Sequence, residues 1–170
     1  MCTSLLWSQE IIKDSLVPAQ DSVIVAKIND TVAQQHNERI DRMISYAKKF
    51  LGTPYYYTGT TPSGFDCSGF INYVMGNFGI PMTRTSSGLA QMGKSIKLSE
   101  LEPGDLMFFK GRNTKSTRVG HVAMVVEVGP DAIKFIHSSS RGVVIDNFKT
   151  SKYYIPRYIK SRRMDYGSKD

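Results

Sequence analysis

Gly64-Phe65-Asp66-Cys67-Ser68-Gly69-Phe70-Ile71-Asn72-Tyr73-Val74-Met75-Gly76-Asn77-Phe78-Gly79 carries the clearest pattern in the chain. Phe70, Ile71, Val74, Met75 and Phe78 recur at helical spacing. The stretch therefore reads as an amphipathic helix that opens at Asp66-Cys67-Ser68 and is closed by Gly79. Asp66 is of the type that caps a helix N-terminus. Cys67 then lies in the first turn, where unpaired N–H groups and a partial positive charge favour an anion. Thiolate is the reactive form of cysteine, so this position is expected to lower the thiol pKa. The same N–H groups are placed to hold the oxyanion of a tetrahedral intermediate, an effect of about 3 kcal/mol per donor. A lone cysteine is more often an inert buried residue. To act as a nucleophile it needs a base, and the base needs an orienting partner.

Upstream, Ile40, Met43, Ile44, Ala47 and Leu51 form a second helical stripe from Asn37 onward, ended by Gly52 and Pro54. Tyr55 to Gly64 reads as a loop. Downstream, a short helix is expected over Ser86 to Met92, closed by Gly93. The period then changes to strands: Leu106 to Phe109 after a Pro103-Gly104-Asp105 turn, His121 to Val128, Ala132 to His137, Val143 to Ile145, and Tyr153 to Ile159. Gly129-Pro130-Asp131 makes the second and third of these an antiparallel hairpin. Helices followed by strands predict an α+β domain, with helices packed on an antiparallel sheet of about five strands. A hairpin pairing sum of about 258 sets His121 roughly opposite His137. One imidazole can then take the thiol proton while the other holds its ring. His36 lies in polar company and reads as a surface residue. Cys67, His121 and His137 could also hold zinc, but no two of them are close in sequence, so metal ranks below thiol catalysis and no cofactor is expected.

The chain has 170 residues, of which 41% are hydrophobic, enough for one self-sufficient core. Residues 1–35 read as a weakly patterned, partly disordered extension, 36–165 as the domain and 166–170 as a tail. The two cysteines, Cys2 and Cys67, exclude a disulfide scaffold and a four-cysteine zinc site. A Cys2–Cys67 bridge is disfavoured because Cys2 sits at a terminus. Net charge is +7, from 22 basic and 15 acidic residues, which favours polyanionic partners without choosing among them. No recognition motif supports nucleic acid. No apolar run approaches the roughly 20 residues that span a bilayer, and no signal peptide is visible. Cys2 is either the lipidated first residue of a mature lipoprotein or an ordinary thiol.

The run Gly64 to Phe70, followed by Pro103-Gly104-Asp105-Leu106 and Gly120-His121-Val122-Ala123, resembles the NlpC family of cysteine peptidases over roughly residues 38–165. Met92-Gly93-Lys94-Ser95 and the basic Arg162-Arg163 are most similar to its small single-domain murein endopeptidase lipoproteins. The resemblance implies a papain-like fold and hydrolysis of peptidoglycan stem peptides or cross-links by a monomeric enzyme of the cell envelope. It implies Cys67 as nucleophile, His121 as base, His137 as the residue that orients it, and Tyr55 as an oxyanion donor, with Tyr56 and Tyr57 one and two places away. Asp66, Ser68, Ser86 and Arg84 match substrate-binding positions, although Asp66 and Ser86 also suit helix starts. Relatives commonly carry Leu-Pro-Arg where this chain has Met82-Thr83-Arg84. About 35 residues are too few for an accessory domain of bacterial SH3 type, so longer or cross-linked stems are expected to be accepted. The basic loop Lys110, Arg112, Lys115 and Arg118 suits contact with an anionic wall or membrane, or is simply solvated. A related thiol amidase, an acyltransferase and a non-catalytic wall-binding module are the competing readings.

Overall fold

The computed structural model describes residues 19–167, so Cys2 and about half of the extension lie outside the described residues. The chain divides into two compact units, residues 1–34 and 35–170. Helix α1 runs from Ala19 to Lys48, 30 residues. It begins well before Asn37, where the sequence pattern starts. Within residues 23–34, Val23, Ile24, Val25, Ile28 and Val32 are exposed. Residues with no buried face give no burial periodicity, which is why this part of the helix was not legible.

In the second unit, Ile40, Met43, Ile44 and Ala47 of α1 are buried as their spacing predicts. Leu51 is not part of this stripe: the helix stops at Lys48 and Leu51 is exposed in the following turn. His36, expected at the surface, is partly buried with its ring 6.3 Å from that of Tyr166. A small hairpin follows, β1 (Thr60–Thr61) and β2 (Gly64–Phe65), and then α2 (Cys67–Asn77). Helix α3 covers only Ser86–Leu89, shorter than the stretch to Met92 expected from sequence. Apart from three short 3-10 turns, the remaining elements are strands: β3 (Lys94–Ile96), β4 (Leu106–Lys110), β5 (Val119–Val128), β6 (Ile133–Ser139), β7 (Gly142–Asn147) and β8 (Tyr158–Arg163).

These six form one antiparallel sheet in the order β3-β8-β4-β5-β6-β7. Strand β3 was not expected, because three residues carry too little alternation to register. The last strand was expected over Tyr153 to Ile159. Instead Ile155–Arg157, with Pro156, forms a 3-10 turn, and pairing begins at Tyr158. Proline removes the N–H that a ladder needs. The sheet is buried on both faces with period two. Leu106, Phe108, Val122, Met124 and Ile136 pack with the helices. Met107, Phe109, Ala123, Val125 and Phe135 pack with Phe148 and Tyr154 on the other face.

Two features of this frame position the site. Strands β5 and β6 pair from Val128↔Ile133 to Met124↔Ile136. Past that point the N-terminal end of α2 approaches them: the Ser138 hydroxyl donates to the Phe65 carbonyl at 2.7 Å. The start of α2 is itself held at close range, since a Cβ on Gly69 would lie 2.0 Å from the Gly59 carbonyl oxygen. Only glycine permits that approach.

Candidate active site

Asp66 has an extended backbone and accepts the Gly69 N–H at 2.6 Å, so it caps α2. Cys67 is the first helical residue, a free thiol that is partly buried. The Val122 N–H points at its sulfur, which sets the thiol beside the strand residue that follows His121. Burial raises the Cys67 pKa, and Asp66 raises it further. The Val122, Ser68 and Cys67 N–H groups pull the other way without prevailing. The expectation that the helix terminus would lower it is therefore corrected: the N–H groups act in that direction, but desolvation of a thiolate outweighs them.

His121 and His137 lie on one face of the sheet, though not directly opposite. The pairing sum is 260 at Met124↔Ile136, not 258, so the rings meet on a diagonal. His121 Nε2 is 2.9 Å from His137 Nδ1. His137 is fully buried, and its Nε2 is 3.0 Å from an Asp146 carboxylate oxygen. Arg141 donates to the same oxygen. The Tyr154 hydroxyl is 3.5 Å from His137 Nδ1, and its ring stacks 5.9 Å from that of His121. Burial drives the His121 pKa down to about 3, with His137 adding to the effect and Asp146 opposing it. Burial also lowers His137, against the pull of Asp146. Hydrogen bonding from His137, joined by Arg141, holds the Asp146 carboxyl below the usual range.

These contacts fix the protons. An ionised carboxylate only accepts, so His137 carries its proton on Nε2. Its Nδ1 is then bare and accepts from His121 Nε2–H. His121 Nδ1 is left as the free base. Asp146 escaped the sequence reading because it closes a run of apolar strand residues, Val143-Val144-Ile145. A lone carboxylate on such a strand was the available signal.

Tyr55 is tied down by a parallel bridge to Phe65, with the Phe65 N–H donating to the Pro54 carbonyl. Of the three neighbouring tyrosines, Tyr55 lines a cleft of about 610 Å³ together with His121, Ser138, Asp146 and Tyr154. Burial raises its pKa, followed by the charges of Cys67 and Asp66, while Arg112 lowers it.

Around the Asp66 cap, Arg84 donates from Nη1 to Asp66 Oδ1 at 3.1 Å and to the Ser68 hydroxyl at 2.9 Å, and from Nη2 to Asp66 Oδ2. Burial alone would raise the Asp66 carboxyl, but Arg84 and the Gly69 N–H bring it below the usual range. Three of the expected substrate-binding residues thus form one cluster. Ser86 opens α3 two residues beyond Arg84, with Thr85 as its cap. Of the basic loop, Lys110 and Arg112 line the cleft, whereas Arg118 lines a separate groove with Ser87 and Lys160. Among the described residues, no group of three or more His, Cys, Asp or Glu is arranged to hold a metal ion.

The NlpC/P60 family matches residues 52–163. The chain is 38% identical over 125 residues to the probable peptidoglycan endopeptidase LytE of Bacillus subtilis, covering 73% of this chain and 34% of that protein. It is 34% identical over 154 residues to the gamma-D-glutamyl-L-lysine dipeptidyl-peptidase of Bacillus cereus, covering 87% and 44%. Among solved structures, an NlpC/P60 family protein from Bacillus cereus superposes with a TM-score of 0.65 at 36% identity, over 73% of this chain and 39% of that one. The architecture is the papain-like α+β fold expected from sequence. The chain spans less than half the length of each of these three proteins.

Proposed function

The chain belongs to the NlpC/P60 family, and from that premise we propose that it is a thiol hydrolase of bacterial cell-wall peptide stems. The observation that carries this reading is the line His121–His137–Asp146 beside a thiol at the head of α2. At rest the pair is neutral, thiol and imidazole. As substrate binds, the thiol proton passes to His121 Nδ1 and the sulfur attacks the scissile carbonyl carbon. First-turn N–H groups of α2 and the Tyr55 hydroxyl donate to the oxyanion. The C–N bond then breaks, and His121 returns the proton to the leaving amine. Water attacks the thioester, loses its proton to His121 and releases the acid, and the thiol is restored. Through each proton transfer, Asp146 and His137 stabilise the imidazolium and hold its tautomer.

The Arg84, Asp66 and Ser68 cluster, with Ser86, supports an acyl part that carries an amine or a free carboxylate. The Bacillus cereus relative is named for a γ-D-glutamyl–lysine bond. That supports a bond at a D-centre or beside the diamino acid of the stem. We assign the enzyme to the cell envelope as a monomer. An anchor at Cys2 would hold it at a membrane. None of the described helices is long and apolar enough to cross one.

The test is digestion of purified sacculi and of free muropeptides, followed by mass analysis. Each cut in a stem should add one water, on sacculi as well as on soluble fragments. Transfer of the acyl group to an amine or a lipid would identify a transferase instead. Action on free tetrapeptide alone would refute the expected tolerance of cross-linked stems.

A further inference from the structure

Tyr154 is almost fully buried, yet it lines the cleft beside His121. Its ring lies 5.9 Å from the His121 ring and 25° from parallel, so the two are face to face. It meets His137 edge on, 5.2 Å away at 84°. Packing fixes this pose. Phe109 and Phe135 each stand 5.1 Å from the Tyr154 ring in edge contacts, and the Tyr154 N–H donates to the Ser151 hydroxyl at 3.0 Å. The phenol stays protonated, because burial raises its pKa, with Asp146 and Tyr153 adding and Arg141 opposing. Its oxygen is 3.5 Å from His137 Nδ1, against 2.9 Å for His121 Nε2. The imidazole therefore holds the Nδ1 lone pair, and the phenol does not. What Tyr154 presents to the base is its ring face.

The proposed reaction, on which this inference rests, creates a charge at that face. The Cys67 S–H bond breaks, its proton goes to His121 Nδ1, and the electron pair stays on sulfur for the attack. A neutral imidazole thereby becomes an imidazolium. The groups around the ring divide over that charge. Asp146 favours it from behind His137. Lys110, Arg112 and Arg141 line the same cleft and oppose it, Arg141 while paired with Asp146. The Val122 N–H and the first turn of α2 support the thiolate rather than the ring. Phe109 lies 6.1 Å away but is tilted by 43°. An aromatic face attracts a cation within about 6 Å of its centroid, most strongly where water is excluded. It does little for a neutral ring, so it favours the charged transition state over the resting pair. We propose that Tyr154 is a positioning residue for the base, and that its ring face supports the His121 imidazolium as the proton arrives from Cys67.

The experiment replaces Tyr154 in the full chain with phenylalanine and with phenylalanines carrying one, two or three ring fluorines. Fluorine draws electron density from the face and leaves the ring's shape nearly unchanged. Two rates are measured. One is kcat on free muropeptides. The other is alkylation of Cys67 by iodoacetamide, which uses the same proton transfer without any peptide; Cys2→Ser silences the second thiol. Both should fall with each added fluorine, by about fivefold to tenfold over the series, while KM and the thermal midpoint hold steady. Tyr154→Leu should lose at least as much, and Tyr154→Phe should recover most of that loss. A flat fluorine series would leave Tyr154 a packing residue and overturn the proposal. Tyr154→Phe as damaging as Tyr154→Leu would overturn it too, by assigning the effect to the hydroxyl. Cleavage by no variant, with Cys67→Ala indistinguishable from wild type, would instead remove the hydrolase reading, and the alkylation series would then decide the ring face alone.

Discussion

At Cys67 the helix terminus and the surrounding packing act on the same sulfur in opposite senses, and packing prevails. Only half of this was legible. The first-turn position follows from a local apolar stripe, Phe70 to Phe78. Burial depends on a strand that arrives some fifty residues later. The same distinction separates His121 and His137, which the hairpin turn brings together on sequence grounds, from Asp146, which needs the actual register of β6 and β7. Asp146→Asn tests the relay. The lost charge no longer supports the imidazolium, and an amide can donate as well as accept, so His137 is free to take the wrong tautomer. We expect kcat to fall by about 100-fold, the lower end of what a misplaced base costs, with KM little changed. Nitrogen-15 NMR of the two rings should show the tautomer shift, and an unchanged spectrum would leave Asp146 a purely structural role. Tyr55→Phe should lower kcat by about 100-fold through loss of one oxyanion donor. A change confined to KM would move that hydroxyl out of the oxyanion site.

Among the elements, β5 does the most positioning: one strand carries His121, offers the Val122 N–H to the sulfur and parts from β6 where α2 enters. Its strand character was legible from the valine-rich run His121 to Val128. The departure from β6 was not, because pairing ends for reasons of packing rather than propensity. Gly120→Ala should test how tightly this end of β5 is held. Its added methyl meets the Gly111 backbone, so activity and thermal midpoint should both fall, and an unchanged midpoint would mean that the loop relaxes freely. Strand β8 is tied to the turn before β4 through Asp105, which is almost fully buried and accepts from Arg163 Nε at 2.8 Å and Nη2 at 2.9 Å. Its removal strips the Glu102 N–H of its acceptor and leaves Arg163 with only its Glu102 and Glu100 contacts. Asp105→Ala should cost about 3 kcal/mol in denaturant unfolding, and a loss under about 1 kcal/mol would show that water replaces the carboxylate.

For the molecule as a whole, the partly buried His121 and the fully buried His137 shape the response to acid. His121 has a folded pKa of about 3 against an ordinary value of 6.5, and His137 moves in the same direction. Between those limits the unfolded chain binds protons that the folded chain refuses, so stability is present above about pH 6.5 and is lost as pH falls towards 3. Asp66 and Asp146, both lowered, extend the loss to more acid conditions. Thermal midpoints should therefore decline steadily on acidification below about pH 6.5, with a shallower slope in His121→Asn. A flat profile across that window would contradict the lowered pKa of the two rings. The excess of seven positive charges was legible from composition alone. It predicts that binding to sacculi weakens as salt shortens the reach of charge. The measurement closest to the centre is release of soluble fragments from sacculi by the wild type and by Cys67→Ala side by side. A thiol mechanism at Cys67 predicts steady release by the first and none by the second, while both bind the wall. Equal release by both, or release by neither, would contradict it.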